Sequence, residues 1–238
     1  MDAYAAKALA RNLLSHVGVR AYRRPDALVK LLQMRAIDVV LDVGANAGQF
    51  GRRIRAMGYR RKIVSFEPLS RAFQKLTSNA RTFPEWTVVK LALGDVEQKR
   101  EINVAGNSQS SSFLDMLPQH VSAAPKSAYV GKESVEVCTL DSVYGRYCQP
   151  QDRVFLKIDV QGFEEAVLRG GAQSLPKCAG VQLELSVVPL YDGSAMLCEM
   201  MKRMSDLGFS LMDIYPSFAD PGSGKLLQVD GTFFQNCA

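Results

Sequence analysis

Two acids, Asp42 and Glu67, and two glycines between them, Gly44 and Gly48, are the first residues whose types and spacing could do chemistry. They lie in V-V-L-D-V-G-A-N-A-G-Q-F (39–50) and K-I-V-S-F-E-P (62–68). A carboxylate ending a strand suits a ligand with a positive amino group. Glycine admits a ligand close to the backbone, and the N-terminus of a following helix offers unpaired N–H groups. Glu67 falls about 20 residues past the turn, the separation at which α/β nucleotide-binding folds set a carboxylate on a ribose hydroxyl pair. Two further acids are Asp159, which follows the apolar run R-V-F-L-K-I, and Glu184, near the end of G-V-Q-L-E-L. A carboxylate beside a reacting centre can take a proton from a nucleophile.

These residues need a scaffold, and the apolar patterning supplies one. Residues 39–43 read as a strand buried on both faces, and Gln49 onward as a helix to about Met57, ended by Gly58. Strands follow at 62–66 and 86–91, with Pro68 setting the chain direction into a helix over 69–81. Ala92-Leu93-Gly94-Asp95 either packs on a ligand's base or turns into a hairpin. A short strand at 101–105 leads to a small polar run, 106–112, read as a lid, a substrate loop or a surface loop. Residues 113–132 read as loop and contain His120, a candidate general base. A strand at 134–139 precedes a helix capped by Asp141 or Ser142.

The fourth strand, 153–158, delivers Asp159 to the C-terminal edge of the sheet, where open α/β folds bind ligands. A fifth strand spans 180–185. A Met-rich helix at 194–207 has the spacing of core. Strands at 209–215 and 226–234 close the chain as a hairpin. The expected fold is α/β and Rossmann-like: a mostly parallel seven-stranded sheet with a C-terminal antiparallel hairpin and helices on both faces. Residues 1–36 read as two helices forming a cap or an oligomerisation segment, and 37–238 as the catalytic domain.

The turn itself narrows the ligand. A dinucleotide cradle wants G-x-G-x-x-G, its second glycine making room for a pyrophosphate. Here Asn46 stands at that position. S-adenosylmethionine (SAM) offers a ribose for Glu67, an amino acid tail for Asp42 and no phosphate. The C-terminal hairpin favours the same choice. The competing readings are an NAD-dependent oxidoreductase on the same turn, a non-catalytic SAM-binding protein and an ordinary strand–turn–helix.

In order, D-V-G-A-N-A-G, S-F-E-P and L-K-I-D-V-Q-G-F-E-E-A-V-L-R-G resemble the successive motifs of the FkbM family of SAM-dependent methyltransferases. The resemblance implies O-methylation, often of sugar hydroxyls in glycolipids, glycans or natural products. The candidate cofactor-binding residues are Asp42, Gly44, Ala45, Asn46, Gly48, Glu67, Pro68, Ala92 and Leu93. Asp159 is the first candidate for a catalytic base and Glu184 the second. No metal-ligand spacing is present. The family pattern has Glu where this chain has Gln161, which removes a charge.

The remaining bounds are broad. A formal charge of +5 is spread in small Arg/Lys clusters, without the aromatic-interleaved stripe that nucleic acid would call for. Solvated faces are the plain reading of each cluster, and a peripheral contact with a membrane surface or an acidic glycolipid headgroup is the alternative. Five scattered cysteines without C-x-x-C fit reduced thiols in a cytoplasm. No apolar run is long enough to span a membrane. A homodimer is a further expectation.

Overall fold

A computed structural model describes residues 27–236. The first of the two expected N-terminal helices lies outside the described residues. The second is α1 (Ala27–Met34). Its Leu28 and Leu32 are buried in one core with Val40, Ile63 and Phe155.

A seven-stranded sheet follows, built from β1 (Val39–Val43), β2 (Lys62–Phe66), β3 (Trp86–Val89), β7 (Val154–Ile158), β8 (Cys178–Ser186), β9 (Phe209–Ala219) and β10 (Leu226–Gln235). Their order is β3-β2-β1-β7-β8-β10-β9. The first five run parallel, and β10 is antiparallel to both β8 and β9. This is the mostly parallel sheet with an antiparallel closing hairpin that the patterning required.

Helices α2 (Gln49–Ala56) and α3 (Ser70–Ala80) join α1 on one face. On the other lie α5 (Leu140–Tyr147), α6 (Glu164–Arg169) and α7 (Leu197–Asp206), over Val39, Leu41, Val43, Leu156 and Ile158. Successive strand side chains point to opposite faces. Each β1 residue is therefore assigned by parity: Val39, Leu41 and Val43 to the α5–α7 side, Val40 and Asp42 to the α1–α3 side. No helix among the described residues is long and apolar enough to cross a membrane.

The region between β3 and β7 departs from the expectation. The third strand stops at Val89, and Ala92–Gly94 forms a separate short strand, β4, neither a plain turn nor an arm of a hairpin. β4 runs parallel to β6 (Tyr129–Thr139), and β6 pairs antiparallel with β5 (Gln98–Ala105), making a second, three-stranded sheet. The stretch expected as loop thus holds helix α4 (Pro118–Ala123) and the start of β6. Ile102, Val135 and Val137 of this sheet bury against Leu69, Ala72 and Ala92, which fixes it over the start of α3. The cap of α5 is Thr139, whose hydroxyl accepts from the Ser142 N–H at 3.1 Å. Asp141, expected there, instead accepts from the backbone of Ser174 at 2.8 Å.

Candidate active site

The C-terminal ends of β1, β2 and β7 bring Gly44, Glu67 and Asp159 to one edge of the sheet. Gly44 has φ +78°, and a methyl group on it would stand 1.8 Å from the Asp159 carbonyl oxygen. Its bare Cα thus serves close packing between two strand ends, and the same residue lines the cleft beside them. Gly48, at φ +83°, faces Leu76 and the Trp86 ring in the same way. Asn46 also takes a positive φ, 46°, which Asn tolerates better than other side-chain-bearing residues.

That turn points the Asn46 N–H at Glu67 Oε2, 2.8 Å away, while Leu69 N–H donates to Oε1 at 2.9 Å. Burial pushes the Glu67 carboxyl up to about 7, against the pull of these two bonds. Each oxygen keeps capacity for a further donor. Glu67 lines a narrow cleft with Asn46, Pro68, Ala92, Leu93, Phe113 and Asp159. Among the described residues none lining this cleft is Lys or Arg. Its chemistry is that of a site for an uncharged or cationic nucleoside, and a pyrophosphate would meet the Glu67 and Asp159 carboxyls with no basic side chain on the cleft wall.

Asp42 does not reach the cleft. It is fully buried, accepts from the Ser65 hydroxyl at 3.0 Å and pairs with the Lys157 ammonium at 3.2 Å. The direct contact with a ligand's amino group expected of it is already taken inside the protein. Ser65, Asp42 and Lys157 are register partners on β2, β1 and β7, so one parity carries a polar row across an otherwise apolar face. Trp86 Nε1 extends the row by donating to Ser65.

Lys157, inside the apolar run V-F-L-K-I, is central. Its ammonium also lies 3.3 Å from Asp159 and sits over the Phe50 ring. Burial works against its charge, but Asp159, Asp42 and Asp230 outweigh that cost and hold its pKa above the ordinary lysine value. The signal available in the sequence was parity: a lysine inside a buried strand needs an acid opposite it, and Asp42 occupies the equivalent place in β1.

A second, larger cavity of about 440 Å³ shares Gly44, Asn46, Asp159 and Gln161 with the cleft. Its polar wall includes Lys157, Glu184, Gln228, Asp230 and His120, with Phe50 and Phe218 as aromatic surfaces. Gln161, at φ +57°, donates through Nε2 to both Asp159 (2.9 Å) and Glu184 (2.7 Å). Its Oε1 accepts from the Tyr191 hydroxyl at 2.7 Å. A glutamate at this position could not bridge two carboxylates by donation. His120 is buried, and that burial lowers its pKa to about 4, leaving a neutral imidazole.

The 106–112 run roofs both spaces, and it is tied down. Ser110, Ser111 and Ser112 are buried, Ser112 donates to the Gln161 carbonyl at 2.7 Å, and Asn46 Nδ2 donates to Ser108. Of the expected cofactor-binding residues, Gly44, Asn46, Glu67, Pro68, Ala92 and Leu93 line the cleft, Ala45 lines the neighbouring cavity, and Gly48 stands behind it in the α2 turn. Asp159 and Glu184 come together through Gln161.

The family described as the methyltransferase FkbM domain matches residues 42–211. The chain is 24% identical over 200 residues to the 2-O-methyltransferase NoeI of Sinorhizobium fredii, covering 80% of this chain and 76% of that one. Among solved structures, magnesium protoporphyrin IX methyltransferase from Synechocystis PCC 6803 aligns with 89% of this chain and 77% of its own, at 12% identity and TM-score 0.49. A TehB-like SAM-dependent methyltransferase from Corynebacterium glutamicum covers 97% of both chains at 12% identity and TM-score 0.41.

Proposed function

The chain belongs to the FkbM family of SAM-dependent methyltransferases, and from that premise we propose that it methylates a hydroxyl oxygen on a small polar acceptor, a sugar of a glycan or glycolipid or a hydroxyl of a natural product. The observation that carries this reading is the division of charge between the two spaces. A cleft with carboxylates and no basic side chain among its described residues adjoins, at Asp159, a cavity walled by amides, by acids together with Lys157 and Arg53, and by aromatic surfaces.

SAM, when bound, supplies a methyl group on a sulfonium that an oxygen nucleophile can displace in line. Glu67 is suited to hold a ribose through the lone pairs its backbone donors leave open. Leu69, Ala92, Leu93 and Phe113 offer apolar surface for a purine. Asp159 lines both spaces, which makes it the group to take the acceptor's proton as the oxygen attacks. Lys157 fixes one Asp159 oxygen and Gln161 the other, so the carboxylate is aimed before any acceptor arrives. Asp42 acts one step back, as the second partner of Lys157. A wall of amides and charged groups of both signs suits an acceptor rich in hydroxyls, and the 2-O-methyltransferase activity in NoeI's name supports the same choice.

The test is differential scanning of the purified chain with S-adenosylhomocysteine and with NADH. The expected result is stabilisation by the first alone, about 2.7 kcal/mol at 100 times its Kd. Stabilisation by NADH alone would sink the reading. Transfer of labelled methyl from SAM into a polar extract fraction, yielding an alkali-stable ether, tests the oxygen acceptor.

A further inference from the structure

The acceptor cavity buries the polar side chains of Ser110, His120, Lys157 and Gln228 in its wall. Ser110 Oγ accepts from Asn107 Nδ2 at 3.0 Å, Lys157 pairs with Asp42 and Asp159, and Gln228 donates to Glu184 at 2.8 Å. His120 is the exception. Its side chain belongs to a residue only 2% exposed, its Nδ1 is buried without a hydrogen-bond partner, and no group among the described residues bonds its other nitrogen. A buried polar atom left unpaired is costly, so an orphan in the wall of a cavity calls for a partner from within it.

The ring is also held where it is. It meets the Tyr191 ring edge-on, 5.1 Å between centroids, and the Phe218 ring at 5.4 Å. Tyr191 is fixed in turn by its hydroxyl bonds to Gln161 and Ser110. Helix α4 is tied down at its start, where the Leu117 N–H donates to the Leu190 carbonyl at 2.9 Å. A clamped imidazole cannot swing out to find a partner in solvent; the partner has to come to it.

We propose that His120 is a specificity-determining residue, whose imidazole hydrogen-bonds a second hydroxyl of the acceptor, apart from the one that Asp159 deprotonates. The proposal rests on the methyltransferase reading for the reacting hydroxyl, but not for the contact itself. Both residues line one cavity without bonding each other, so a single acceptor can reach both. The kind of group follows from the ring's state. Burial alone lowers the His120 pKa, to about 4, and the charged residues of the same cavity, Lys157, Arg53, Asp159, Glu184 and Asp230, have no part in that shift. A neutral imidazole presents one donor and one acceptor, which a hydroxyl matches. An anionic group would call for the imidazolium, which burial opposes.

The test begins with nitrogen-15 magnetic resonance of the full chain, whose two histidines are His16 and His120. His16→Gln leaves the His120 ring signals alone in the spectrum. S-adenosylhomocysteine by itself should not move them; S-adenosylhomocysteine with polar fractions of a cell extract should move them in at least one fraction. That fraction, serially diluted, then serves as acceptor with labelled SAM. His120→Phe should raise the apparent KM about 5- to 150-fold, the cost of a buried hydroxyl left unpaired, with kcat nearly unchanged. His120→Gln, which again offers a donor and an acceptor, should recover part of that loss. Signals that no fraction moves, or that S-adenosylhomocysteine alone moves, overturn the proposal. An unchanged KM in His120→Phe, or an equal loss in both variants, does the same. If His120→Phe fails to fold, the ring signals and His120→Gln carry the test. A fraction that moves the signals but takes no label counts against the methyltransferase reading and leaves this contact standing; label taken up with the signals unmoved does the reverse.

Discussion

The donor cleft and the acceptor cavity meet at Asp159, but they are held together by different means. In the cleft, one carboxylate is fixed by backbone: the Asn46 and Leu69 N–H groups hold Glu67, and a glycine presses the turn against β7. In the cavity, side chains hold one another: Lys157, Gln161 and Gln228 hold Asp159 and Glu184. A backbone-held site rests on few residue identities and binds a constant ligand. A side-chain-held site depends on the charge of each member, and the proposed chemistry and choice of acceptor fall there.

The largest expected effect lies where the two regions join. Asp159→Asn keeps the shape and the bond to Gln161 within reach but cannot take a proton. Methyl transfer should fall by about 10²- to 10⁴-fold, the usual contribution of a positioned base. S-adenosylhomocysteine affinity, read by calorimetry, should change only a few-fold. A rate that survives would remove Asp159 as the base. An equal loss of affinity would erase the distinction between cleft and cavity.

Next comes Lys157→Met, which tests whether the cavity's charges are mutually dependent. It leaves Asp42 fully buried without its ammonium, and removing one partner of a buried pair costs about 3–5 kcal/mol. Urea denaturation should show that loss. Lys157→Met with Asp42→Leu should recover much of it, because the orphaned charge is then gone. Simple additivity of the two changes would mean that the row across β2, β1 and β7 is not an energetic unit.

The same contrast explains what the sequence disclosed. The cleft is built from contiguous motifs whose glycines, strand ends and acids follow one another within a single β-strand–helix–β-strand unit, so its parts were readable in order. Asp159 was readable because a fourth apolar strand had to deliver it to the same edge. The three-stranded sheet was readable only in part: strands at 101–105 and 134–139 are legible, but β4 is three residues long, and the exposed start of β6, with Gly131 and Lys132, resembles loop until β5 is known to pair with it. Lys157 was hidden for the opposite reason: its strand is so apolar that one charge looked incidental. Asp42, expected as a ligand contact, pairs with Lys157 instead, because sequence spacing places an acid at a strand end without saying what lies on the adjacent strand. Gln161 looked like a lost charge, and only the fold shows its amide between two acids.

The smallest expected effect belongs to the backbone-held side. Glu67→Gln keeps an acceptor for one backbone N–H and loses the charge-assisted bonds to a ribose, each worth about 1.5–3 kcal/mol. S-adenosylhomocysteine should bind about 10- to 100-fold more weakly, with the fold retained. The ligand-free chain provides a second measurement. Burial pushes the Glu67 carboxyl from 4.5 up to about 7, so the folded state holds a proton that the unfolded state releases first. More protons bound when folded means that stability falls as pH rises, here from about 4.5 through about 7. Glu67→Gln has no proton to lose, so its unfolding free energy should decline less steeply across that window. Glu164, also pushed up to about 7 by burial, keeps part of the slope in place. Parallel pH profiles for the two chains would mean that the two backbone bonds already hold Glu67 ionised, leaving the cleft with a full negative charge where a half-protonated acid is expected.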